Sequence, residues 1–261
     1  LLDIKDLEVE FVVGRKIVKA VNGASLSVGN NETVVLAGES GSGKTVTALS
    51  ICRILPDNCH ICSGSIMFGG TRMTSLDEPG LRSIRGKDIS YIFQEPASYL
   101  NPVYTIGSQM DEVSVFHLGA GRKEAKSVSL ELLEKVGMRD PGRVYASYPH
   151  QLSGGMNQRA FIAMSLACRP KLLIADEPTT SLDVTIEAQI LKLLMSLKKD
   201  YGFALLFITH NLSIAAKIAD RVYVMYRGAV VEEKTVGELF SDPVHQHTKD
   251  LIAAYEKIGK L

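Results

Sequence analysis

The sequence predicts an α/β fold in which a parallel, helix-covered sheet follows an antiparallel β region and is interrupted by a helical insertion. Short continuous apolar runs recur along the chain with helical patterns between them, which is typical of parallel strands buried on both faces. Residues 1–30 instead alternate apolar and polar positions with glycines between them, which indicates antiparallel strands. Residues 95–169 have helical periodicity but no convincing strand.

Each segment supports one of these parts. Leu7, Val9 and Phe11, followed by Val18 and Ala20, give the alternation of the N-terminal region. Buried strands are predicted at residues 34–37, 89–93, 172–175, 203–208 and 222–225. Helices are predicted at residues 44–55, 106–118, 123–136, 157–168, 186–199 and 212–219. We therefore expect a single domain, 1–261, in which a core with its N-terminal β subdomain (1–94 and 170–240) is joined by a helical subdomain (95–169) and a short helical tail (241–261).

Composition favours a globular protein that stays inside the cell. The chain has 261 residues, 46% of them hydrophobic, so it can bury a sizeable core. Lysine plus arginine and aspartate plus glutamate are balanced at 29 each, so no net field favours nucleic acid, and we expect no nucleic-acid partner. No apolar run approaches the roughly 18 to 20 residues that span a bilayer, and the first residues lack a signal-like pattern. Four cysteines are too few for a disulfide framework.

A glycine-rich segment, GESGSGKT at residues 38–45, directly follows a predicted strand and opens a predicted helix. It fits G-x-x-x-x-G-K-[ST], in which backbone N–H groups and the helix start surround phosphate groups. Lys44 is expected to reach the β and γ phosphates, and the Thr45 hydroxyl is placed for magnesium. The segment predicts a P-loop NTPase core, although by itself it leaves kinases, GTPases and motor ATPases open.

Two carboxylates end a later buried run. In LLIADEP, residues 172–178, the apolar residues are followed by Asp176 and Glu177. Ligands bind beyond this end of the strands in open α/β sheets. Asp176 is expected to hold magnesium through water, and Glu177 to polarise the attacking water. A solvated surface pair is the ordinary alternative, and the position at the end of a buried run disfavours it.

A second anion-binding element is predicted at LSGGM, residues 152–156. Ser153 and the glycines after it open a helical run, and a serine cap beside free backbone N–H groups suits an anion.

In their order along nearly the whole chain, these motifs resemble those of the ATPase subunits of ABC transporters. GESGSGKT resembles the Walker A loop, Gln94 in YIFQEP the Q-loop, LSGGM the signature motif, and LLIADEP the Walker B strand. Residues 181–183, Ser-Leu-Asp, resemble the D-loop, and His210 the switch histidine. Phe11 resembles the aromatic residue that stacks on adenine, with an inward-facing strand phenylalanine as the alternative. The resemblance implies the ABC ATPase architecture.

The resemblance also implies ATP and Mg²⁺ as cofactors and ATP hydrolysis coupled to transport. Catalytic roles are expected for Lys44, Gln94, Glu177 and His210, and magnesium contacts for Thr45, Gln94 and Asp176. The nucleotide contacts implied are Phe11, Gly38, Glu39, Ser40, Gly41, Ser42, Gly43, Lys44, Thr45, Val46, Gln94, Ser153, Gly154, Gly155, Asp176, Asp183 and His210. ATP would lie between the Walker A loop of one protomer and the signature of the other.

The partners that the resemblance implies are a second ATPase subunit, identical or paralogous, in a head-to-tail dimer, two membrane permeases and an extracytoplasmic substrate-binding protein. The location implied is peripheral, at the cytoplasmic face of the inner membrane. YPHQLSGGM and PVHQHTKDL are similar to segments of the oligopeptide, dipeptide and nickel importer branch. Met156 and Asn211 depart from the glutamine and aspartate usual in the family, without removing a phosphate-contacting group.

Two rival functions remain open at this point. A soluble ABC ATPase acting on DNA or ribosomes shares the nucleotide chemistry, but such proteins usually carry long insertions or a second cassette. A P-loop kinase leaves LSGGM and His210 unexplained.

Three further patterns give smaller predictions. Tyr99, Leu100 and Val103 are expected to form an apolar patch for a permease, with internal packing as the alternative. Cys59 and Cys62 form half a zinc-binding set, so a loop without metal is favoured. The histidines at 245 and 247 are expected in a solvated polar turn.

Overall fold

The computed structural model describes residues 1–180 and 183–258. Its contacts divide the chain into two compact units. The first unit consists of Leu1–Leu81 and Ala204–Leu261, and the second of Arg82–Phe203. The predicted helical subdomain, 95–169, falls inside the second unit, which also includes strands on either side of it.

The strands are β1 (Leu2–Val13), β2 (Lys16–Val28), β3 (Thr33–Ala37), β4 (Cys59–Phe68), β5 (Thr71–Arg72), β6 (Ile89–Ile92), β7 (Leu172–Asp176), β8 (Ala204–Thr209), β9 (Arg221–Tyr226) and β10 (Ala229–Thr235). The helices are α1 (Lys44–Cys52), α2 (Glu78–Ile84), α3 (Pro96–Tyr99), α4 (Ile106–Leu118), α5 (Arg122–Lys135), α6 (Pro141–Ala146), α7 (Gly154–Ser165), α8 (Val184–Tyr201), α9 (Leu212–Ile218), α10 (Val236–Ser241) and α11 (Gln246–Ile258). The predicted strands and helices are confirmed, with shifted ends.

The first unit contains the predicted antiparallel β region and part of the parallel sheet. Strands β2, β1, β4 and β5 pair in that order, antiparallel throughout. Strand β3 pairs in parallel with β8 on one side and β9 on the other, and every residue of β3 and β8 is buried. This burial on both faces is the origin of the continuous apolar runs in the sequence. Helix α1 ends before the predicted residue 55 because Arg53 takes a left-handed conformation, with φ 51°, that closes the last turn.

The second unit contains the helical insertion. Strands β6 and β7 pair in parallel, and residues 93–171 between them form helices and turns without a strand, as predicted. Helix α4 begins and ends where its periodicity predicts, because the Thr105 side chain caps its first turn and Gly119 closes its last in a left-handed conformation.

The tail packs within the first unit more closely than the sequence predicts. The Glu232 carboxylate accepts hydrogen bonds from the backbone N–H groups of Val244 and His245 at 2.8 and 3.0 Å. The His247 ring stacks on Tyr226, with centroids 4.1 Å apart, and the residue is only 8% exposed. The prediction of a solvated turn is therefore wrong for His247, because a buried carboxylate provides partners for the N–H groups of the turn.

The predicted loop at the C-x-x-C segment is also wrong, since both cysteines lie on strand β4. Cys59 is buried and Cys62 exposed, in keeping with the opposite directions of side chains three residues apart on a strand. Within residues 1–180 and 183–258, no three histidine, cysteine or acidic side chains cluster closely enough to hold a metal ion. Over the same residues, no helix is both long and apolar enough to cross a membrane.

Candidate active site

The glycine-rich loop of the first unit joins β3 to α1 as predicted. Gly43 precedes the helix with φ 104°, and a Cβ atom there would lie 2.5 Å from the carbonyl oxygen of Ala20. Only glycine fits this position, because a side chain would meet both backbone strain and a steric clash. No side chain caps the first turn of α1, so its backbone N–H groups face the loop as donors for an anion.

Two side chains of this loop complete a phosphate cradle. Lys44 is 4% exposed, and its Nζ donates hydrogen bonds to the carbonyl oxygens of Gly38 and Glu39, both at 2.8 Å. The Oγ of Ser42 is buried and has no hydrogen-bond partner among the described residues. A buried hydroxyl without a partner is costly, and a phosphate oxygen would provide one. The loop therefore fits a phosphorylated ligand.

The other residues predicted from the loop lie at its rim. Glu39, Ser40, Gly41 and Thr45 are exposed, and Val46 is half-buried in the first turn of α1. Thr45 lies in the first turn of α1, and a threonine oxygen is a suitable ligand for a hydrated magnesium ion.

His210 leaves the sheet of the first unit at the same edge as the loop. Strands β3 and β8 are parallel with Ala37 opposite Thr209, so the residues that follow each strand emerge together. His210 is exposed. The Asn211 side chain caps α9 by accepting a hydrogen bond from the N–H of Ser213 at 2.9 Å. Asparagine caps a helix as well as aspartate does, which accounts for this departure from the family.

Phe11 lies on β1 opposite Val18 of β2 and Cys59 of β4. It is half-buried and is not part of the hydrophobic core. Half-burial fits both the role in adenine stacking and the alternative of an inward-facing strand phenylalanine, so the stacking role stays a prediction.

The second unit brings three of the other predicted residues, Gln94, Asp176 and Glu177, to one edge of the β6–β7 pair. Ile92 lies opposite Ala175, so Gln94 emerges beside Asp176 and Glu177. Asp176 is 3% exposed and accepts a hydrogen bond from the Tyr91 hydroxyl at 2.8 Å. Sequence reasoning missed Tyr91, although a hydroxyl-bearing side chain in a strand predicted to be buried was available as a clue.

Glu177 has an unusual backbone. Its φ is 44°, in the left-handed region that costs a non-glycine residue roughly 1 to 2 kcal/mol. The hydroxyl of Thr180 donates to Glu177 Oε2 at 2.8 Å, and the Thr180 N–H donates to the Glu177 carbonyl oxygen at 3.1 Å. The turn after β7 thus fixes the direction of this carboxylate, and strain of this kind is frequent at functional sites.

The signature motif forms the N-terminus of α7. Ser153 caps the helix, its Oγ accepting from the N–H of Met156 at 3.3 Å, and Ser153 and Gly154 are exposed while Gly155 is half-buried. Methionine at position 156 contributes its backbone to the cap, so this departure leaves the cap intact. The helix begins at Gly154, three residues before the predicted start, because the serine cap allows the glycines to join it.

Asp183 begins α8 and caps it, with Oδ1 accepting from the N–H of Ile186 at 2.9 Å. Ser181 and Leu182, the other two residues of the predicted D-loop, lie outside the described residues.

The predicted permease patch is only partly exposed. Tyr99 and Val103 are 58% and 71% exposed, whereas Leu100 is 4% exposed. Leu100 was wrongly assigned to the surface: α3 is a single turn that packs against α7, and Leu100, which follows its last residue, is buried. Tyr104, at 56% exposure, joins the surface instead.

Comparisons with known proteins agree with this geometry. A family model described as ABC transporter matches residues 21–180. A peptide import ATP-binding protein of Brucella melitensis biotype 1 is 49% identical over 265 residues, covering 99% of this chain and 78% of that protein. The oligopeptide transport ATP-binding protein AmiE of Streptococcus pneumoniae serotype 4 is 47% identical over 260 residues, covering 99% of this chain and 73% of AmiE.

Among solved structures, the dimeric ATP-binding cassette in a post-hydrolysis state, bound to ADP and Pi, is similar with a TM-score of 0.80. It is 26% identical in sequence, and the match covers 90% of this chain and 99% of that chain. The cradle of the first unit and the carboxylates of the second are those expected for ATP and Mg²⁺. The chain therefore belongs to the ABC transporter family and is one of its ATP-binding, ATP-hydrolysing subunits.

Proposed function

We propose that this chain hydrolyses ATP to drive import of peptides through a membrane permease, working as one half of a head-to-tail ATPase dimer. The observation that supports the peptide substrate is the similarity, at 49% and 47% identity and over 99% of this chain, to two proteins named for peptide import and oligopeptide transport. Nothing in these similarities favours the alternative of an ATPase acting on nucleic acid or ribosomes.

In the first unit, we assign phosphate binding to the loop. Lys44, the Ser42 hydroxyl and the open N-terminus of α1 hold the β and γ phosphates, because together they offer a positive charge and several donors. Thr45 is a magnesium ligand. When bound, Mg²⁺ offsets the charge that develops on the transferred phosphoryl group. His210, exposed at the same sheet edge, contacts the γ phosphate, and Phe11 stacks on adenine.

In the second unit, we assign the hydrolytic chemistry to the two carboxylates at the end of β7. Asp176, which accepts a hydrogen bond from Tyr91, would hold the hydrated magnesium ion. Glu177 orients the attacking water, since its carboxylate is half-exposed and its direction is fixed by Thr180. Gln94, exposed beyond β6, contacts magnesium or this water and changes position with the nucleotide state.

The signature motif serves the nucleotide of the partner. Ser153 and Gly154 are exposed at the N-terminus of a 12-residue helix, which is an anion-binding site open to another molecule. The solved cassette that is similar to this chain is dimeric. Asp183, exposed at the start of α8, is proposed to meet the opposite subunit in this arrangement.

The permeases are proposed to bind the surface formed by Tyr99, Val103 and Tyr104, which we name the aromatic patch. These three residues are 58%, 71% and 56% exposed. Large apolar side chains that are exposed close together often mark a site of protein–protein interaction. They follow Gln94 closely, so movement at the nucleotide would reach the permease through α3. Peripheral attachment to the cytoplasmic face of the membrane, and a substrate-binding protein that delivers peptides to the permease, complete the proposal.

Val103→Asp is expected to lower co-purification with the permeases and peptide uptake by at least about tenfold, because a charge would be buried unpaired in an apolar interface. ATP hydrolysis by the isolated subunit should stay within about twofold of wild type, since the side chain is exposed there. Co-purification and uptake of a labelled oligopeptide check this.

Val244→Asp is the matched control, because Val244 is 67% exposed on the first unit. It should leave the complex intact. Leu100→Asp, at a buried position, should instead reduce thermal stability. Normal complex formation and uptake with Val103→Asp would place the permease contact elsewhere. If the wild-type complex hydrolyses ATP normally but takes up no peptide, peptides are not the substrate.

A further inference from the structure

The helix that carries the signature motif is tied to the turn that carries Glu177. Gln158 lies on α7, one turn beyond the cap at Ser153, and is 4% exposed. Its Nε2 donates a hydrogen bond of 2.8 Å to the carbonyl oxygen of Pro178, which is buried. Pro178 directly follows Glu177, so one side chain connects the two motifs within the second unit.

This hydrogen bond acts on a strained turn. Glu177 has a φ of 44°, a conformation that persists only when its surroundings enforce it. Within the turn, the Thr180 hydroxyl contacts the Glu177 carboxylate, and Thr179 Oγ1 donates to Glu187 Oε2 of α8 at 3.3 Å. Gln158 adds a contact from a different helix. Without the Gln158 amide, the buried Pro178 carbonyl would lose a hydrogen-bond donor. The cost of that loss would favour a rearrangement of the turn.

We propose that Gln158 is a positioning residue that couples the signature motif to Glu177 of the same chain. The inference rests on the function proposed above, in which the signature of one chain contacts the partner's nucleotide while Glu177 acts on its own. A γ phosphate that binds at Ser153 orders the start of α7. Gln158 is five residues further, about 7.5 Å along a rigid helix. Binding of the partner's γ phosphate at Ser153 is thereby linked to the position of Glu177, which acts on the nucleotide of its own chain.

The neighbouring residue, Asn157, provides a control that distinguishes a purely structural role of Gln158 from this coupling. Asn157 is 6% exposed, and its Nδ2 donates to the carbonyl oxygen of Pro149 at 3.0 Å. The two residues therefore have the same kind of bond, from a buried amide to a proline carbonyl. Pro149 precedes the signature motif and lies 28 positions before Glu177, so the Asn157 bond holds a different segment from the Glu177 turn. Asn157→Leu is thus a matched control for Gln158→Leu.

The test compares both leucine variants of the full chain for kcat, KM for ATP, the Hill coefficient of hydrolysis and thermal stability. Gln158→Leu is expected to lower kcat at least about tenfold, with KM within about twofold, because Glu177 loses its position while the phosphate loop is unchanged. Its Hill coefficient should fall from the wild-type value towards 1, because the hydrogen bond that couples the two sites is lost. Asn157→Leu, with a similar loss of thermal stability, should keep kcat within about threefold.

Equal losses of kcat in the two variants, or a wild-type kcat and Hill coefficient in Gln158→Leu, would overturn the proposal. Should Gln158→Leu fail to fold, Gln158→Met keeps the length of the side chain without the donor, and the same outcomes apply to it. Glu177→Gln measured alongside separates this proposal from the one on which it rests. If Glu177→Gln retains hydrolysis, the assignment of Glu177 is wrong, whatever Gln158 does.

Discussion

Glu177→Gln is expected to lower steady-state ATP turnover by at least about a hundredfold, the upper range for the loss of a catalytic base. The amide keeps the size and shape of the side chain and can still contact the Thr180 hydroxyl, so the turn after β7 should persist. What it loses is the negative charge that orients and polarises the attacking water. Because Lys44 and the phosphate loop are untouched, ATP binding should stay near the wild-type value.

The same variant should accumulate as an ATP-bound dimer, since binding closes the pair and slow hydrolysis delays reopening. Phosphate release and size-exclusion chromatography with ATP measure the two effects. Glu124→Gln, an exposed glutamate on α5 of the same unit, is the control and should behave as wild type. Near-normal turnover by Glu177→Gln would remove this residue from the role.

Ser153→Arg is expected to abolish ATP-dependent dimerisation and hydrolysis while leaving nucleotide binding by the monomer nearly intact. The arginine removes the cap of α7 and places a long side chain where the partner's γ phosphate would bind. The chain's own phosphate loop lies in the other unit and is unchanged. A defect confined to dimer formation is therefore the mark of a site shared between two chains.

Size-exclusion chromatography on a Glu177→Gln background, with binding of a fluorescent ATP analogue, checks this expectation. Ser108→Arg, an exposed serine in the first turn of α4, controls for the added charge and should still dimerise. A dimer that forms with Ser153→Arg as readily as without it would refute the head-to-tail arrangement.

The sequence is most informative where chemistry demands a residue type at a fixed spacing. The loop at residues 38–45 was predicted together with its strand and helix, because Gly43 alone fits beside the Ala20 carbonyl and Lys44 must reach phosphate. The carboxylates after β7 were predicted from the buried run before them. In each case a local pattern was sufficient.

The tertiary contacts could not be predicted from the sequence. Leu100 was predicted at the surface, yet its burial depends on how a single helical turn lies on the chain around it. His247 was predicted in solvent, yet its ring stacks on Tyr226 of β9, and the turn before it is held by a carboxylate from β10. Tyr91 and Gln158 contact the catalytic turn and its carboxylates from residues 85 and 20 positions away, respectively. Such pairings have no periodicity that a single sequence could reveal.

Hydrolysis by a mixture of two impaired variants tests the shared site most directly. Lys44→Ala loses the phosphate lysine but keeps its signature motif, whereas Ser153→Ala loses the signature hydroxyl but keeps its phosphate loop. In a mixed head-to-tail dimer, one site combines the intact loop of the second chain with the intact signature of the first. An equal mixture should therefore exceed the average of the two variants measured alone, with about a quarter of wild-type ATP turnover as the upper bound, since about half of the dimers are mixed and each has one complete site. A mixture whose turnover equals the average of the two variants measured alone would contradict a site formed by two chains.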